Sequence, residues 1–289
     1  MSRPGWLLPL IKLTFPKNWE RVGRFIAPSP IARAVRKAMF DGDHLLCVPH
    51  DRTAARSAAS AEPRRGRVLE VGVELARDAQ VVVPSALCDY LIDRMDYHVV
   101  MNFCICRRSN DCADYPRDYG CLFMGDAARG INPEWGRPVS RDEAKAHLRK
   151  CEETGLIHFL GKAKLDALWL GVGPGEKLLG ICSCCPCCCI TRGLPYFPAD
   201  IAKILHRAPG VEVSITEDCN ACGKCATQCF AHAITVDDER ASISDQCRGC
   251  GRCVERCPQS AIRLDIDPSR FIAESAEQLA RVVDFPGLG

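Results

Sequence analysis

Hydrophobic and polar positions along this chain fall into several short patterns. Pro84 and Ser85 precede Leu87, Leu91 and Met95 at the spacing of one helix face, which predicts a helix over about 84–95 and then a strand near 97–103. Ser140 and Glu143 have capping-box spacing ahead of Ala144, Leu148 and Cys151, and Gly155 supplies a stop, predicting a helix over 141–154. Leu156 to Leu160 reads as a short buried strand. The GVGPG stretch at 171–175 reads as a turn, because it lacks the lysine and hydroxyl of a phosphate-binding loop. Val211, Val213 and Ile215 alternate as a strand, Ile262 and Leu264 as another, and Ile234 to Val236 with Ala241 to Ile243 as a hairpin through Asp237 to Arg240. Thr53 to Arg67, rich in Ala, Ser and Arg and ending in Pro63 and Gly66, reads as a loop or linker.

The C-terminal patterns enclose an internal repeat. CNACGKCATQCFAHAI at 219–234 realigns on CRGCGRCVERCPQSAI at 247–262 with an offset of 28, and each copy has the spacing C-x2-C-x2-C-x3-C. Two-residue spacers let a tight loop wrap three thiolates around one face of an iron–sulfur cube, while the fourth cysteine points away into a following helix. Over about 211–266 the chain resembles the bacterial-type two-[4Fe-4S] ferredoxin family. The resemblance implies that Cys219, Cys222, Cys225 and Cys257 hold one cluster and that Cys247, Cys250, Cys253 and Cys229 hold its partner. One departure stands out: proline usually follows the fourth cysteine, as Pro258 does, but the first copy has Phe230. Structural zinc does not account for the x3 spacing repeated with all eight cysteines.

Ten further cysteines form two groups. Cys104, Cys106, Cys112 and Cys121 have the spacing C-x-C-x5-C-x8-C beside Arg107 and Arg108, and cations there favour thiolates and offset the charge of a ligated cluster. Cys182, Cys184, Cys185, Cys187, Cys188 and Cys189 put six thiols in eight residues, which cannot all reach one metal because neighbouring side chains diverge. Cys182, Cys185 and Cys188 repeat the C-x2-C-x2-C frame, and Cys184 with Cys187 make a second frame. One or two further iron–sulfur clusters, zinc, or reactive thiols are the chemistries open to these groups. Over about 80–265 the chain is similar to ferredoxin-containing proteins with a CxCR module, a CL(x)nG element (here Cys121, Leu122 and Gly125) and a CCxCCC run. That similarity implies several clusters and brings no substrate with it. Cys47, Cys88 and Cys151 read as packing residues. His44 and His50 flank Cys47 as a ligand cluster or by chance, and His98 stands close before Cys104, within reach of a cluster sulfur. His147 on the capped helix, His158 in a strand and His206 on a helix read as structural or surface residues.

Composition narrows the function classes. With 21 cysteines in 289 residues and 47% hydrophobic content, the chain can build a core without disulfides, unlike a short secreted scaffold. The apolar run Trp6 to Ile11 is broken by Pro9 and too short for an export signal, and no stretch approaches the about 20 apolar residues of a membrane span. The expectation is a cytoplasmic protein with reduced thiols. A net charge of +2 gives no reason to expect a nucleic-acid partner. Residues 1–40 carry eight Lys/Arg against one acidic residue, whereas 211–289 carry eight against thirteen. The basic start reads as a solvated face or as a contact for an acidic partner or membrane surface, with Trp6, Leu7 and Leu8 beside Lys12 and Lys17. No Ser-His-Asp, flavin or dinucleotide pattern is present.

The expected fold is α+β: a ferredoxin-type, duplicated βαβ-like domain at 206–268, preceded by an α/β cysteine-rich metal module at 68–205. A basic extension and linker at 1–67 and a C-terminal helix or tail at 269–289 complete the division. The expected function is single-electron relay between separate redox partner proteins, a donor and an acceptor, in anaerobic metabolism. The alternatives are an iron–sulfur oxidoreductase with its catalytic cluster in the N-terminal module, and a zinc-stabilised scaffold fused to a ferredoxin.

Overall fold

The computed structural model of the protein describes residues 42–60, 84–196 and 202–285, and also Pro30, Ala34 and Phe40. In chain order these residues form β1 (His44–Val48), α1 (Asp51–Ser60), α2 (Ser85–Arg94), β2 (His98–Met101), α3 (Ile105–Ser109), β3 (Leu122–Met124), β4 (Gly136–Val139) and α4 (Arg141–Glu153). Next come β5 (Ile157–Lys162), α5 (Lys164–Leu170), β6 (Leu179–Cys184), β7 (Leu205–Arg207), β8 (Val211–Ile215) and α6 (Lys224–Gln228). β9 (Ile234–Val236), β10 (Ala241–Ile243), α7 (Arg252–Arg256), β11 (Ile262–Ile266) and α8 (Pro268–Ala280) follow. Helix and sheet are mixed as an α+β fold.

Seven strands make one sheet in the order β4-β2-β3-β6-β5-β1-β7. Its pairs are antiparallel except β1 with β7, which is parallel. Two small ladders, β8 with β11 and β9 with β10, lie in the C-terminal segment. Strand period two divides the buried positions of the large sheet. Leu46, Val48, Val100, Leu122, Leu160 and Ile181 share one core with Leu87 and Leu91 of α2, Leu148 of α4, and Leu264 and Phe271 from the C-terminal segment. The alternate positions Cys47, Phe159 and Cys184 face a second cluster that takes in Cys189, Phe230 and Cys250. β1 and β5 approach so closely at Gly161 (φ +149°) that a Cβ there would stand 2.0 Å from the His44 carbonyl oxygen.

Several predicted elements are present. The helices fall at Ser85–Arg94 and Arg141–Glu153, and the latter carries both bonds of the capping box, Glu143 N to Ser140 Oγ at 3.2 Å and Ser140 N to Glu143 Oε2 at 2.9 Å. The strands near 97–103 and 156–160 and the hairpin are present within a residue or two.

Two readings require correction. Thr53 to Ser60 is helical and not a loop. Its alanines have high helix propensity, and the helix is held against the second cysteine repeat and β11. Thr53 Oγ1 donates to Glu255 at 2.7 Å, Arg56 to the Cys257 carbonyl at 3.1 Å, and Leu264 N to Ser57 Oγ at 2.7 Å. His206 lies in β7 and not on a helix, because the parallel pairing of β7 with β1 sets it opposite Leu46. The basic start of the chain, with Trp6 and its neighbours, and residues 61–67 lie outside the described residues. Among the described residues no helix is long and apolar enough to cross a membrane.

Candidate metal centres

The two cysteine repeats take matching backbone conformations at their glycines, helices and fourth cysteines. Gly223 and Gly251 sit at φ/ψ of 71°/−5° and 76°/−4°, each opening a five-residue helix. Cys229 and Cys257 end those helices in extended conformation, and His232 and Ser260 both take φ of 51°. Ala233 N donates to Cys229 Sγ, and Ala261 N to Cys257 Sγ, each at 3.3 Å. Ala241 N to Cys219 Sγ and Gly249 N to Cys247 Sγ add two more such bonds, at 3.3 and 3.4 Å.

Electrostatic neighbourhoods cross between the repeats. Cys225 has Cys219 and Cys257 beside it, whereas Cys247, Cys250 and Cys253 each have Cys229 as a neighbour. Burial pushes the thiols of Cys225, Cys247 and Cys253 up and that of Cys250 to about 11. Buried thiols of this kind ionise readily only when a cation takes the charge, so the donor set with its N–H···S bonds fits a bound iron–sulfur group. The surroundings differ in one respect. Cys222 is exposed at the edge of the first repeat, whereas Arg252 of the second is buried and donates to the Cys184 carbonyl at 2.6 Å.

The ten remaining clustered cysteines divide into two sets, and neither follows sequence grouping. Cys112, Cys185, Cys187 and Cys188 bring all four Sγ atoms within 4.8 Å of one another. The other six, Cys104, Cys106, Cys121, Cys182, Cys184 and Cys189, line one cavity, whose wall Cys185 of the first set also reaches. They meet as pairs, Cys104 with Cys106, Cys121 with Cys182, and Cys184 with Cys189 at 3.1 Å. Strand geometry explains the division. In β6, Gly180, Cys182 and Cys184 alternate with Leu179, Ile181 and Ser183, so both cysteines face the cavity. The register that pairs Leu122 with Ile181 puts Cys121 next to Cys182. Cys185 follows the strand end at the opposite parity and packs with Cys112, Cys151 and Leu156. The C-x2-C-x2-C frame of Cys182, Cys185 and Cys188 is therefore not brought to one point, and neither is the Cys184 and Cys187 frame. Sequence spacing did not pick out Cys187 with Cys112, or Cys189 with Cys184; the alternation of β6 separates Cys184 from Cys185, and the remaining partners are set by contacts between distant segments.

Arg107 is fully buried between these sets. It donates to the carbonyls of Pro116 and Ser183, each at 2.7 Å, and of Tyr119. Burial works against its charge, but the thiols of Cys104, Cys185, Cys184 and Cys121 outweigh that and hold it protonated. The bond with Cys106 brings the Cys104 thiol down to about 6, against burial and assisted by Arg107. Cys184 likewise lowers Cys189 to about 7. Phe230, the departure in the first repeat, is buried with its ring edge-on to Phe159 at 5.8 Å and under the Arg252 guanidinium.

Cys47, Cys88 and Cys151 are buried. His44 and Cys47 are three apart in a strand and face opposite sides; His44 stacks on His206 at 4.3 Å, while His50 lies near Glu255 and Glu152. Among the described residues no ligand cluster forms there. His98 is held by the Ile92 carbonyl at 2.9 Å. Gly125 (φ +97°) accepts the ring of Phe285, which a Cβ would meet at 2.2 Å.

Comparison with known proteins bears on one segment. No curated protein and no solved structure matches the chain. The family described as 4Fe-4S dicluster domain matches residues 212–265, the segment of the two repeats, and with it comes iron–sulfur chemistry of the electron-transfer kind.

Proposed function

We propose that the chain is an electron-transfer protein in which Cys219, Cys222, Cys225 and Cys257 hold one [4Fe-4S] cluster and Cys247, Cys250, Cys253 and Cys229 a second. In this reading the six thiols around the cavity hold a further iron–sulfur cluster. Bound clusters of this type exchange single electrons without bond chemistry. The chain's own part is to hold, space and shield them. The observation that carries the reading is the packing of Cys250 and Phe230 in one apolar cluster with Cys184 and Cys189. Arg252, on the helix that follows Cys250, ties the second repeat to the cavity wall through the Cys184 carbonyl. The Phe159 and Phe230 rings pack edge-on at 5.8 Å within that apolar cluster. The exposed edge at Cys222 is the side presented to a redox partner.

Anaerobic purification with iron and sulfide counts tests this. The expected content is about twelve iron atoms per chain or more, falling to about eight in Cys184→Ser and Cys189→Ser. Wild-type iron near eight would remove the cluster from the N-terminal module and favour the zinc-scaffold alternative. A second reading, an iron–sulfur reductase with its catalytic site at the six thiols, is favoured by one observation. An apolar cavity lined by Leu45, Phe159, Trp169 and Leu205 opens beside Cys182, Cys184 and Cys189 and could take a substrate. Binding of apolar small molecules that Trp169→Ala abolishes, with iron unchanged, would select it.

A further inference from the structure

The set formed by Cys112, Cys185, Cys187 and Cys188 differs from the other thiol sets in spread. Its four Sγ atoms lie within 4.8 Å of one another, and among the described residues no other set of three or more potential ligand atoms converges so closely. Cys112 and Cys187 sulfurs are 3.5 Å apart. The size of a metal group dictates the spread of its ligands. Tetrahedral zinc binds thiolates at about 2.3 Å, which sets neighbouring sulfurs about 3.8 Å apart. A cubane has a separate iron behind each thiolate, so its four cysteine sulfurs occupy a larger tetrahedron. Among the described residues neither the eight cysteines of the repeats nor the six around the cavity bring three sulfurs together within that spread; the six meet only as pairs, Cys184 with Cys189 at 3.1 Å.

We infer that Cys112, Cys185, Cys187 and Cys188 form a mononuclear tetrathiolate zinc site, separate from every iron–sulfur centre. Its surroundings suit such an ion. Cys188 N donates to Cys185 Sγ at 3.3 Å, and the backbone N–H groups of Asp114 and Tyr115 point at Cys112. A tetrathiolate zinc carries a formal charge of about −2, which nearby cations offset. Arg117 donates to the Cys112 carbonyl at 2.8 Å and Arg192 to the Cys187 carbonyl at 2.7 Å, so a cation anchors each half of the site. Zinc has no redox chemistry; its effect is to fasten the Cys112 loop to the turn that leaves β6. That turn walls a groove against Cys229 and Phe230 of the first repeat, so the ion fixes the run of cysteines in position beside it.

The test uses the full-length, anaerobically purified chain. Zinc-edge X-ray absorption should show about one zinc per chain with four sulfur neighbours at about 2.3 Å. Cys187→Ser and Cys112→Ser should each remove the zinc while iron and sulfide stay at wild-type values. Absence of zinc from the wild type, a shell containing nitrogen or oxygen, or loss of iron in either variant would overturn the assignment. Should both variants fail to fold, the wild-type absorption spectrum decides alone. Iron counts on the same sample test the cluster reading, so either reading can fail without the other.

Discussion

His206 shows how a single residue couples this fold to pH. In the unfolded chain an imidazole titrates near 6.5; in the fold, burial, the stacked His44 ring and Arg248 lower it to about 4. Between those values the unfolded chain binds more protons than the native one, so the neutral ring's contribution is complete above about 6.5 and is lost as the pH falls toward 4. Melting temperatures measured anaerobically from pH 7.5 down to 5 should fall less steeply for His206→Gln than for the wild type; equal slopes would refute the claim. Arg107 is the opposite case, a buried charge retained because thiols surround it and three carbonyls accept its hydrogen bonds. The sequence flagged it only as a cation beside cysteines, since nothing in one chain's pattern tells a fully buried arginine from a surface one.

At the level of elements, the two repeats were legible because their chemistry is local. Thiol spacing and a left-handed glycine before each helix are encoded within sixteen residues per copy. What each copy touches was not legible. Nothing lies within 4 Å of a Cβ built on Gly223, whereas on Gly251 it would stand 2.4 Å from Thr53 Cγ2 of α1. Both substitutions to alanine carry the left-handed backbone penalty of about 1–2 kcal/mol, and Gly251→Ala must in addition displace α1. Chemical denaturation should therefore find Gly251→Ala the less stable of the two. Removing Thr53 as well, in Thr53→Ala with Gly251→Ala, should recover part of the difference, because the Cγ2 clash goes while Leu264 Cδ1 stays at 3.1 Å and the bond to Glu255 is lost. Helix α1 itself was misread because Ala, Ser and Arg without apolar periodicity look like a linker; its packing contacts come from residues two hundred positions away.

Across the whole molecule, Phe230 joins the dicluster segment to the cysteine-rich sheet. Phe230→Ala should cost about 3–5 kcal/mol, the range for truncating a buried aromatic, and, if the proposed N-terminal cluster is present, should slow electron passage to it while leaving the iron count of the repeats intact. Rapid-mixing reduction followed at the cluster absorbance would measure it. Unchanged rates would mean that this contact is not the route. The sequence marked Phe230 as a departure from a pattern, and the structure supplies the reason, a ring needed at an interface where proline has no comparable surface.

Taken alone, the sequence determined several of the helices and strands and the duplicated cysteine loops, because these depend on residues near one another in the chain. Tertiary structure alone decided how the other ten thiols divide. Cys112 joins Cys185, Cys187 and Cys188 from across about 75 positions, and Cys121 reaches Cys182 only through the β3–β6 register. A register shift of one residue would turn every side chain on a strand to the other face, and register is set by packing between distant segments. Local spacing carries no record of it.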